Sequence, residues 1–248
     1  MLKRMLAMAA FLCVTSCARP SDAQSLIDHA RISVNFGVQP SSSTFDATTN
    51  NPVGQQTSTL TTSYSVPSGQ FVDAGVTLRV SGGFGIGIGV SWFNKSETAP
   101  ISGSIPHPLV LNRPRPISGT SPPLERDEIA GYIDAAYVFS ANHVDLVVSG
   151  GPAFFTVSQD LVANVTYSEA PPFDTVAFTG AVVTKAMATN LGFNAAVDVG
   201  VKLSRNVGVG AIVRYSRASM TFPLANTPSG VHADAGGTQA GGGVRFYF

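Results

Sequence analysis

The sequence predicts an all-β fold: one eight-stranded antiparallel transmembrane β-barrel, with short turns at one end and long loops at the other. Three observations predict it. Charged residues make up only 12% of the 248 residues, half of the roughly 25% that is usual in soluble domains. Apolar residues alternate with small or polar ones along several segments, which is the period of a β-strand. Beyond residue 23 no run reaches about 18 apolar residues, so helices that cross a bilayer are excluded.

The first 23 residues have the features of a cleaved signal peptide. Lys3 and Arg4 precede an apolar run over residues 5–17, which is too short to span a bilayer as a helix. Small residues precede a cleavage point after Ala23, so residues 24–248 are expected to form the mature barrel domain. That mature chain would hold 12 basic and 14 acidic residues, a net charge of −2.

A second processing route stays open. Residues 14–17, Val-Thr-Ser-Cys, resemble a lipobox, in which Cys17 would be acylated and become the new N-terminus. Both routes take the chain out of the cytoplasm. If cleavage follows Ala23, Cys13 and Cys17 are both removed, and the mature chain can form neither a disulfide nor a thiolate metal site.

Three segments carry the alternation most strongly. From Phe84 to Trp92 the even positions are all apolar, and the odd positions are glycine or serine. From Leu191 to Leu203 the odd positions are all apolar, and the chain ends with Val244, Phe246 and Phe248 on one face. One apolar face and one small, polar face are typical of a barrel wall between lipid and lumen. A soluble sandwich would carry charge on its outward face.

Short polar segments and long irregular ones give the strand count. Turns are predicted at residues 81–83, 140–143 and 204–206. Four loops rich in proline, serine, threonine and asparagine are predicted at residues 47–69, 98–123, 168–176 and 223–234.

Three turns and four loops separate eight strands. Two further strand-like segments, residues 159–167 and 175–186, are expected to extend one hairpin beyond the membrane as a protruding ribbon. The eight strands are predicted at residues 30–38, 70–80, 84–95, 125–139, 144–158, 187–203, 207–222 and 235–248.

With this pattern, residues 24–248 resemble the small outer-membrane β-barrel proteins of diderm bacteria, the group of OmpA transmembrane domains, OmpX, OmpW and opacity-type barrels. The resemblance implies a bacterial outer-membrane location, periplasmic short turns and extracellular loops. It also implies lipid and lipopolysaccharide as surroundings. The terminal aromatic run with Phe246 and Phe248 is similar to the signal by which the barrel-assembly machinery recognises its clients. The resemblance specifies architecture and leaves function open.

If the apolar faces point to lipid, the opposite faces define the lumen. They carry four acids and four bases, and an eight-stranded barrel is just wide enough for side chains to fill it. Buried charges persist only when paired, so a network that plugs the lumen is expected. A charged, narrow conduit for ions or small solutes is the alternative. The eight residues are Asp73, Arg79, Asp134, Asp145, Asp198, Lys202, Arg214 and Arg245.

Aromatic residues lie near the predicted strand ends or outer faces. Membrane barrels carry aromatic girdles at both interfaces, although ordinary packing explains some of these residues equally well. The candidates besides the terminal run are Trp92, Phe93, Tyr132, Tyr137, Phe139, Phe154, Phe155 and Tyr215.

The second long loop supplies the sharpest binding hypothesis. His107, Arg113 and Arg115 lie there among several prolines, which stiffen the backbone and lower the ordering entropy of binding. An exposed basic loop of this kind could hold an anionic partner, such as lipopolysaccharide phosphates or an external ligand. Solvated arginines, or arginines folded back over the barrel mouth, are the alternative.

Other function classes find little support. The chain has no GxSxG or other spaced catalytic motif, so no enzyme is predicted. Nothing in the spacing of its histidines favours a metal site, and no cofactor is expected. A mature net charge of −2 without a basic stripe gives no indication of nucleic-acid binding.

The expected function is structural or interaction-based. The long extracellular loops would contact envelope components or an external ligand, and the plugged barrel would anchor them as a monomer. A narrow pore for small solutes is the alternative.

Overall fold

The computed structural model describes residues 30–40, 43–141, 143–227 and 229–248. The predicted signal peptide and both cysteines lie outside these ranges. The described residues form no helix of the length and apolarity needed to cross a membrane. Their regular elements are β-strands: β1 (Ala30–Gln39), β2 (Ser43–Val53), β3 (Gln56–Val66), β4 (Gly69–Ser81), β5 (Phe84–Glu97), β6 (Pro100–Pro106), β7 (Pro114–Thr120), β8 (Leu124–Ala141), β9 (Val144–Ser168), β10 (Ala177–Lys202), β11 (Val207–Phe222) and β12 (Val231–Tyr247).

Eight strands close into an antiparallel barrel in the order β1-β12-β11-β10-β9-β8-β5-β4. They overlap the eight predicted strands, so the predicted barrel is confirmed. The loops β4–β5, β8–β9 and β10–β11 are short and lie at one end, which we call the short-turn end. Gly82 in the first of them has φ +58°, a left-handed conformation that glycine adopts without a steric penalty. The opposite end is called the distal end.

The protruding ribbon is confirmed. Strands β9 and β10 are 25 and 26 residues long and stay paired up to the contact of Ser168 with Ala177. Strands of about 9–11 residues suffice to cross a bilayer. The ribbon therefore continues well past the membrane on the distal side.

Two predicted loops are wrong. Residues 47–69 and 98–123 are largely β-hairpins, β2–β3 and β6–β7, and they form a second sheet in the order β2-β3-β6-β7. In these strands Thr and Ser alternate with only a few apolar residues. A search for apolar residues at every second position therefore does not detect the strands. Prolines also disguise β6 and β7. They fall at strand ends, except Pro116 in the sheet-edge strand β7, which are the positions a sheet tolerates.

The outside of the barrel is apolar, as the alternation predicts. Because each strand turns every second side chain outward, these residues form a continuous apolar surface that only lipid covers favourably. Exposed members on the eight barrel strands include Val34, Phe36, Val72, Leu78, Phe84, Ile86, Ile88, Trp92, Ile129, Ile133, Phe139, Val148, Phe154, Leu191, Phe193, Val197, Val199, Val209, Val213, Tyr215, Val244 and Phe246.

One apolar core joins the distal half of the lumen to the second sheet. From the barrel it takes side chains such as Phe155, Met220 and Phe222, and from the second sheet Leu60 and Ile105, all almost completely buried. The second sheet thus covers the distal mouth of the barrel and packs on the β9–β10 ribbon. The barrel and the second sheet therefore bury apolar side chains against each other.

Candidate functional site: the lumen and the distal hairpins

Asp198 on β10 anchors the lumen near the short-turn end. Arg245 on β12 contacts it twice, with Nε donating to Oδ1 at 3.1 Å and Nη2 lying 3.0 Å from Oδ2. Arg31 on β1 forms a second salt bridge with the same carboxylate. Arg245 has no exposed surface. One acid therefore holds two buried guanidinium groups that come from the strands on the β12–β1 side of the barrel.

Glycines make room for this cluster. A Cβ atom at Gly210 would lie 3.0 Å from Arg245 Nε, and one at Gly200 would lie 2.6 Å from Tyr247 Oη. The absence of side chains at these two positions lets long side chains from β12 cross the lumen.

Asp73 on β4 and Arg214 on β11 form a salt bridge in the middle of the lumen. Two strands, β1 and β12, lie between β4 and β11 in the barrel wall, so this salt bridge crosses the lumen. Asn35 Nδ2 donates to Asp73 Oδ1 at 2.8 Å. The Arg214 guanidinium lies over the Tyr132 ring, 4.3 Å from its centroid, which is a cation–π geometry.

Asp134 on β8 differs from the other interior acids because its hydrogen-bond donors are neutral. Asn194 Nδ2 donates to Oδ1 at 2.7 Å, and Ser149 Oγ donates to Oδ2 at 3.3 Å. A small polar gap, part of it open to solvent, lies between Asp134, Asp198 and Arg214. The lower lumen is polar and incompletely filled.

Three further predicted residues, Asp145, Lys202 and Arg79, lie close to the short-turn end. Lys202 Nζ is 3.6 Å from Asp145 Oδ2 and 4.8 Å from the centroid of the Tyr247 ring. Arg79 is apart from the interior ion pairs, since its Nη2 donates to Ser140 Oγ at 2.7 Å. The structure thus brings seven of the eight predicted residues into the lumen and leaves Arg79 at its rim.

A distal charged layer was missed by the sequence analysis. Arg126 Nε donates to Glu128 at 2.6 Å and its Nη1 donates to Gln159 at 3.0 Å. Its Nη2 donates to the carbonyl of Asp234 at 2.8 Å. Arg126 and Glu128 share the inward parity of Asp134 on β8, and Arg31 shares that of Asn35 on β1. Extending the alternation to the strand ends would have found all three.

Towards the distal end the lumen becomes apolar. Along β11 the inward positions change from Gly208 and Gly210 through Arg214 and Ser216 to Met220 and Phe222. Phe93, Tyr132 and Phe155 also point inward and are buried, so their proposed place in an outer girdle is wrong. Trp92, Phe154 and Tyr215 are exposed on the barrel exterior, where a girdle requires them.

The prediction that Arg115 lies exposed in a basic loop is wrong. Its side chain is buried, with Nη1 donating to Glu169 Oε2 at 2.6 Å and to the Phe173 carbonyl at 2.9 Å, and Nη2 donating to the Pro106 carbonyl at 2.7 Å. Arg115 therefore ties β7 to the β9–β10 loop.

The other two candidates of this loop are also engaged. His107 is buried, and its Nδ1 accepts the backbone N–H groups of Leu109 and Val110 at 3.1 Å each. Arg113 Nη2 lies 2.9 Å from Asp174 Oδ1, and both side chains are about half exposed. The three residues thus organise the distal hairpins, and Arg113 alone presents a substantial surface to a partner.

The terminal aromatic residues lie on the outside of β12. Phe246 and Phe248 are partly exposed, and Phe248 exchanges backbone hydrogen bonds with Ala30. Among the described residues, no group of three or more His, Cys, Asp and Glu side chains could hold a metal ion.

No family model and no curated protein matches the chain. Among solved structures, the outer membrane protein OprG from Pseudomonas aeruginosa has 12% identity and a TM-score of 0.47, covering 89% of this chain and 96% of its own. Neisserial surface protein A has 12% identity and a TM-score of 0.42, covering 88% and 97%. The outer membrane protease OmpT from Escherichia coli has 9% identity and a TM-score of 0.38, covering 90% and 97%.

The chain's own geometry identifies its kind. Every strand of the eight-stranded ring is hydrogen-bonded on both sides, which is the condition for a β-structure to span lipid. Its exterior is apolar along the barrel strands, as lipid contact requires. The protein is a small closed β-barrel whose exterior suits contact with a lipid bilayer.

Proposed function

We propose that the protein is a surface protein with a structural or interaction role, in which a closed barrel anchors a folded extracellular platform. The platform consists of the second sheet and the β9–β10 ribbon. The observation that carries the proposal is the common apolar core: Phe155, Met220 and Phe222 of the barrel pack with Leu60 and Ile105 of the sheet. The hairpins are therefore held rigidly over the barrel mouth.

The same core supports a closed lumen. Water and ions would have to pass the buried side chains of Phe155 and Met220 after passing the Asp73–Arg214 salt bridge. Breaking such a buried pair leaves an uncompensated charge, which costs about 3–5 kcal/mol. The lumen residues thus act as a plug that also stabilises the barrel.

The outward face of the second sheet supports contact with a neutral, hydrogen-bonding ligand. Thr48, Thr61, Ser102 and Ser118 form one row across its four strands, and the hydroxyl oxygens of Thr48 and Thr61 are 3.2 Å apart. Asp46 is the charged residue among the outward positions of the four strands. Sugar chains of the envelope fit this face better than phosphates do, because it offers hydroxyl groups and no cations.

A narrow pore is the second candidate function. The observation in its favour is the polar gap beside Asp134 and Asp198, which is open in part to solvent. A pore would need the distal core to move aside.

Binding, and not catalysis, is the proposed activity. His107 uses Nδ1 to hold its own loop, and His232 Nδ1 is 3.0 Å from the hydroxyl of Thr221. Among the described residues, no carboxylate contacts either imidazole to orient it as a general base.

Planar-bilayer recording of refolded residues 24–248 tests the closed lumen. The expected result is no current from protein whose folding is shown by heat-dependent gel mobility. Discrete current steps whose ion preference changes when Arg214 or Arg245 is replaced by Ala would overturn the plug. Arg113→Ala is the matched control, since that arginine lies far from the lumen.

A further inference from the structure

Three consecutive aliphatic side chains are exposed at the end of the β6–β7 hairpin. Leu109, Val110 and Leu111 have 76%, 45% and 67% of their surface exposed. They point away from the membrane, because β6 and β7 rise from the distal end of the barrel. We call residues 107–113 together with the adjoining β9–β10 loop, residues 169–176, the distal tip.

The loop is held in this conformation by specific contacts. Buried His107 accepts two backbone N–H groups from the turn. Gln56 on β3 accepts the N–H of Asn112 at 2.9 Å and donates to the His107 carbonyl at 3.4 Å. These contacts leave the turn little freedom to fold Leu109, Val110 and Leu111 inward, so their apolar surface stays in water, which is unfavourable.

The neighbouring loop adds apolar surface and one ion pair. Ala170, Pro171 and Pro172 are exposed, and the two loops are joined by the half-exposed Arg113–Asp174 pair. Arg113 of the tip is thus paired with Asp174, and Arg115, which adjoins the tip, is paired with Glu169.

This chemistry narrows the class of partner. Because the cations are paired, the tip has little attraction for an anionic polymer. The exposed apolar residues of the tip are aliphatic, and its one phenylalanine, Phe173, is partly buried, whereas exposed aromatic side chains are typical of loops that enter a bilayer interface. The partner class that remains is a protein with an apolar surface that has both a positive and a negative charge beside it.

We propose that the distal tip docks on the distal tip of a second copy of this chain in a facing membrane. The inference rests on the proposed surface role and names its partner. A two-fold contact must be self-complementary, and aliphatic side chains meet this condition. The adjacent Arg113 and Asp174 meet it as well, because a two-fold axis near them places the cation of one copy opposite the anion of the other.

The contact is small. Three aliphatic side chains and two prolines cover less than the ~800 Å² per partner of a standard interface, so one pair of tips binds weakly and the protein stays monomeric in detergent. Many copies on two facing membranes act together, since each contact raises the effective concentration for the next.

Vesicle association tests the proposal. Full mature protein is reconstituted by detergent removal into two vesicle populations that carry a donor and an acceptor dye, and protease accessibility measures the fraction of outward tips. Vesicles with the natural sequence are expected to associate and transfer energy. The double variant Leu109→Ser with Leu111→Ser is expected to fall to the level of protein-free vesicles.

Charge reversal supplies the sharper test. Arg113→Asp gives a tip with two anions, and Asp174→Arg gives one with two cations, so each is expected to lose association with itself at low salt. Mixing the two populations is expected to restore it. Thr57→Asp, on the outward face of the second sheet, is the control for added charge, and all variants must keep heat-dependent gel mobility.

Dispersed vesicles with the natural sequence, or no restoration on mixing, would overturn the second copy as partner. Association with protein-free vesicles would overturn it in favour of lipid. Neither result touches the closed lumen of the proposed function, which has its own test, the appearance of discrete current through the barrel.

Discussion

Arg245 and Asp198 form a buried ion pair in the lumen, with Arg245 Nε 3.1 Å from Oδ1 and Nη2 3.0 Å from Oδ2. Because Arg31 shares the same carboxylate, neutralising Asp198 leaves two buried cations without a counter-charge. Asp198→Asn is expected to lower the free energy of unfolding by about 3–5 kcal/mol, measured by urea unfolding in lipid vesicles. Lys185→Gln removes an exposed pair with Glu125 at 3.5 Å and is expected to change little. Equal losses in the two variants would contradict the structural role of Asp198.

Gly210 and Gly131 form a matched pair of barrel glycines. A Cβ atom at Gly210 would meet the Val199 carbonyl and lie 3.0 Å from Arg245 Nε, whereas one at Gly131 meets no atom within 4 Å. Gly210→Ala is therefore expected to destabilise the barrel by about 1–3 kcal/mol through overpacking. Gly131→Ala should be neutral or slightly stabilising, because it restricts the unfolded chain. Urea unfolding in lipid vesicles compares the two variants. An unchanged free energy of unfolding in Gly210→Ala would show that a methyl group fits beside Arg245.

Arg115 is expected to hold the platform together without affecting the barrel. Arg115→Ala removes the hydrogen bonds to Glu169, Phe173 and Pro106. Limited proteolysis is expected to cut residues 169–176 faster, while the heat-dependent gel mobility of the barrel stays unchanged. Arg113→Ala, which removes a half-exposed pair, serves as control. Resistance of the Arg115→Ala loop to protease would mean that packing alone fixes it.

The buried phenol of Tyr64 is expected to make the second sheet less stable at alkaline pH. Burial raises the pKa of the Tyr64 phenol above its ordinary value of 10, and its oxygen accepts the N–H of Val162 at 2.8 Å. The unfolded chain loses the phenol proton first, so the stability contributed by Tyr64 is complete below pH 10 and falls as the pH rises from there. Proteolysis of the platform is expected to increase above pH 10, and Tyr64→Phe should remove this part of the pH dependence. Tyr167→Phe is the control, and an unchanged pH profile in Tyr64→Phe would argue against this assignment.

The alternation rule predicts the barrel because lipid and lumen impose opposite chemistry on neighbouring residues. It places Phe84, Leu191 and Phe246 outside and Asp73, Asp198 and Arg214 inside, as observed. Lipid therefore makes the sequence of a barrel wall unusually informative.

The second sheet escapes the same rule for a physical reason. Its outward face meets water, and Thr, Ser and Asn fill that face as readily as they fill a loop. Its inward face includes Thr49, Asn51, Ser58 and Thr62, which are buried and mask the apolar period. Which segment lies over the barrel mouth depends on contacts distant in sequence, such as Tyr64 with Val162. The role of Arg115 follows from these contacts as well, so composition gives no sign of it.

The common core of barrel and hairpins has a consequence for immune recognition. Residues 98–123 contribute Ile101, Ile105 and Ile117 to that core and keep their shape only while it exists. A synthetic peptide of this segment has no core to pack on and samples many conformations. Antibodies raised against the peptide should bind the denatured chain and miss the native protein, whereas antibodies raised against the refolded barrel should recognise discontinuous epitopes that join β2–β3, β6–β7 and β9–β10.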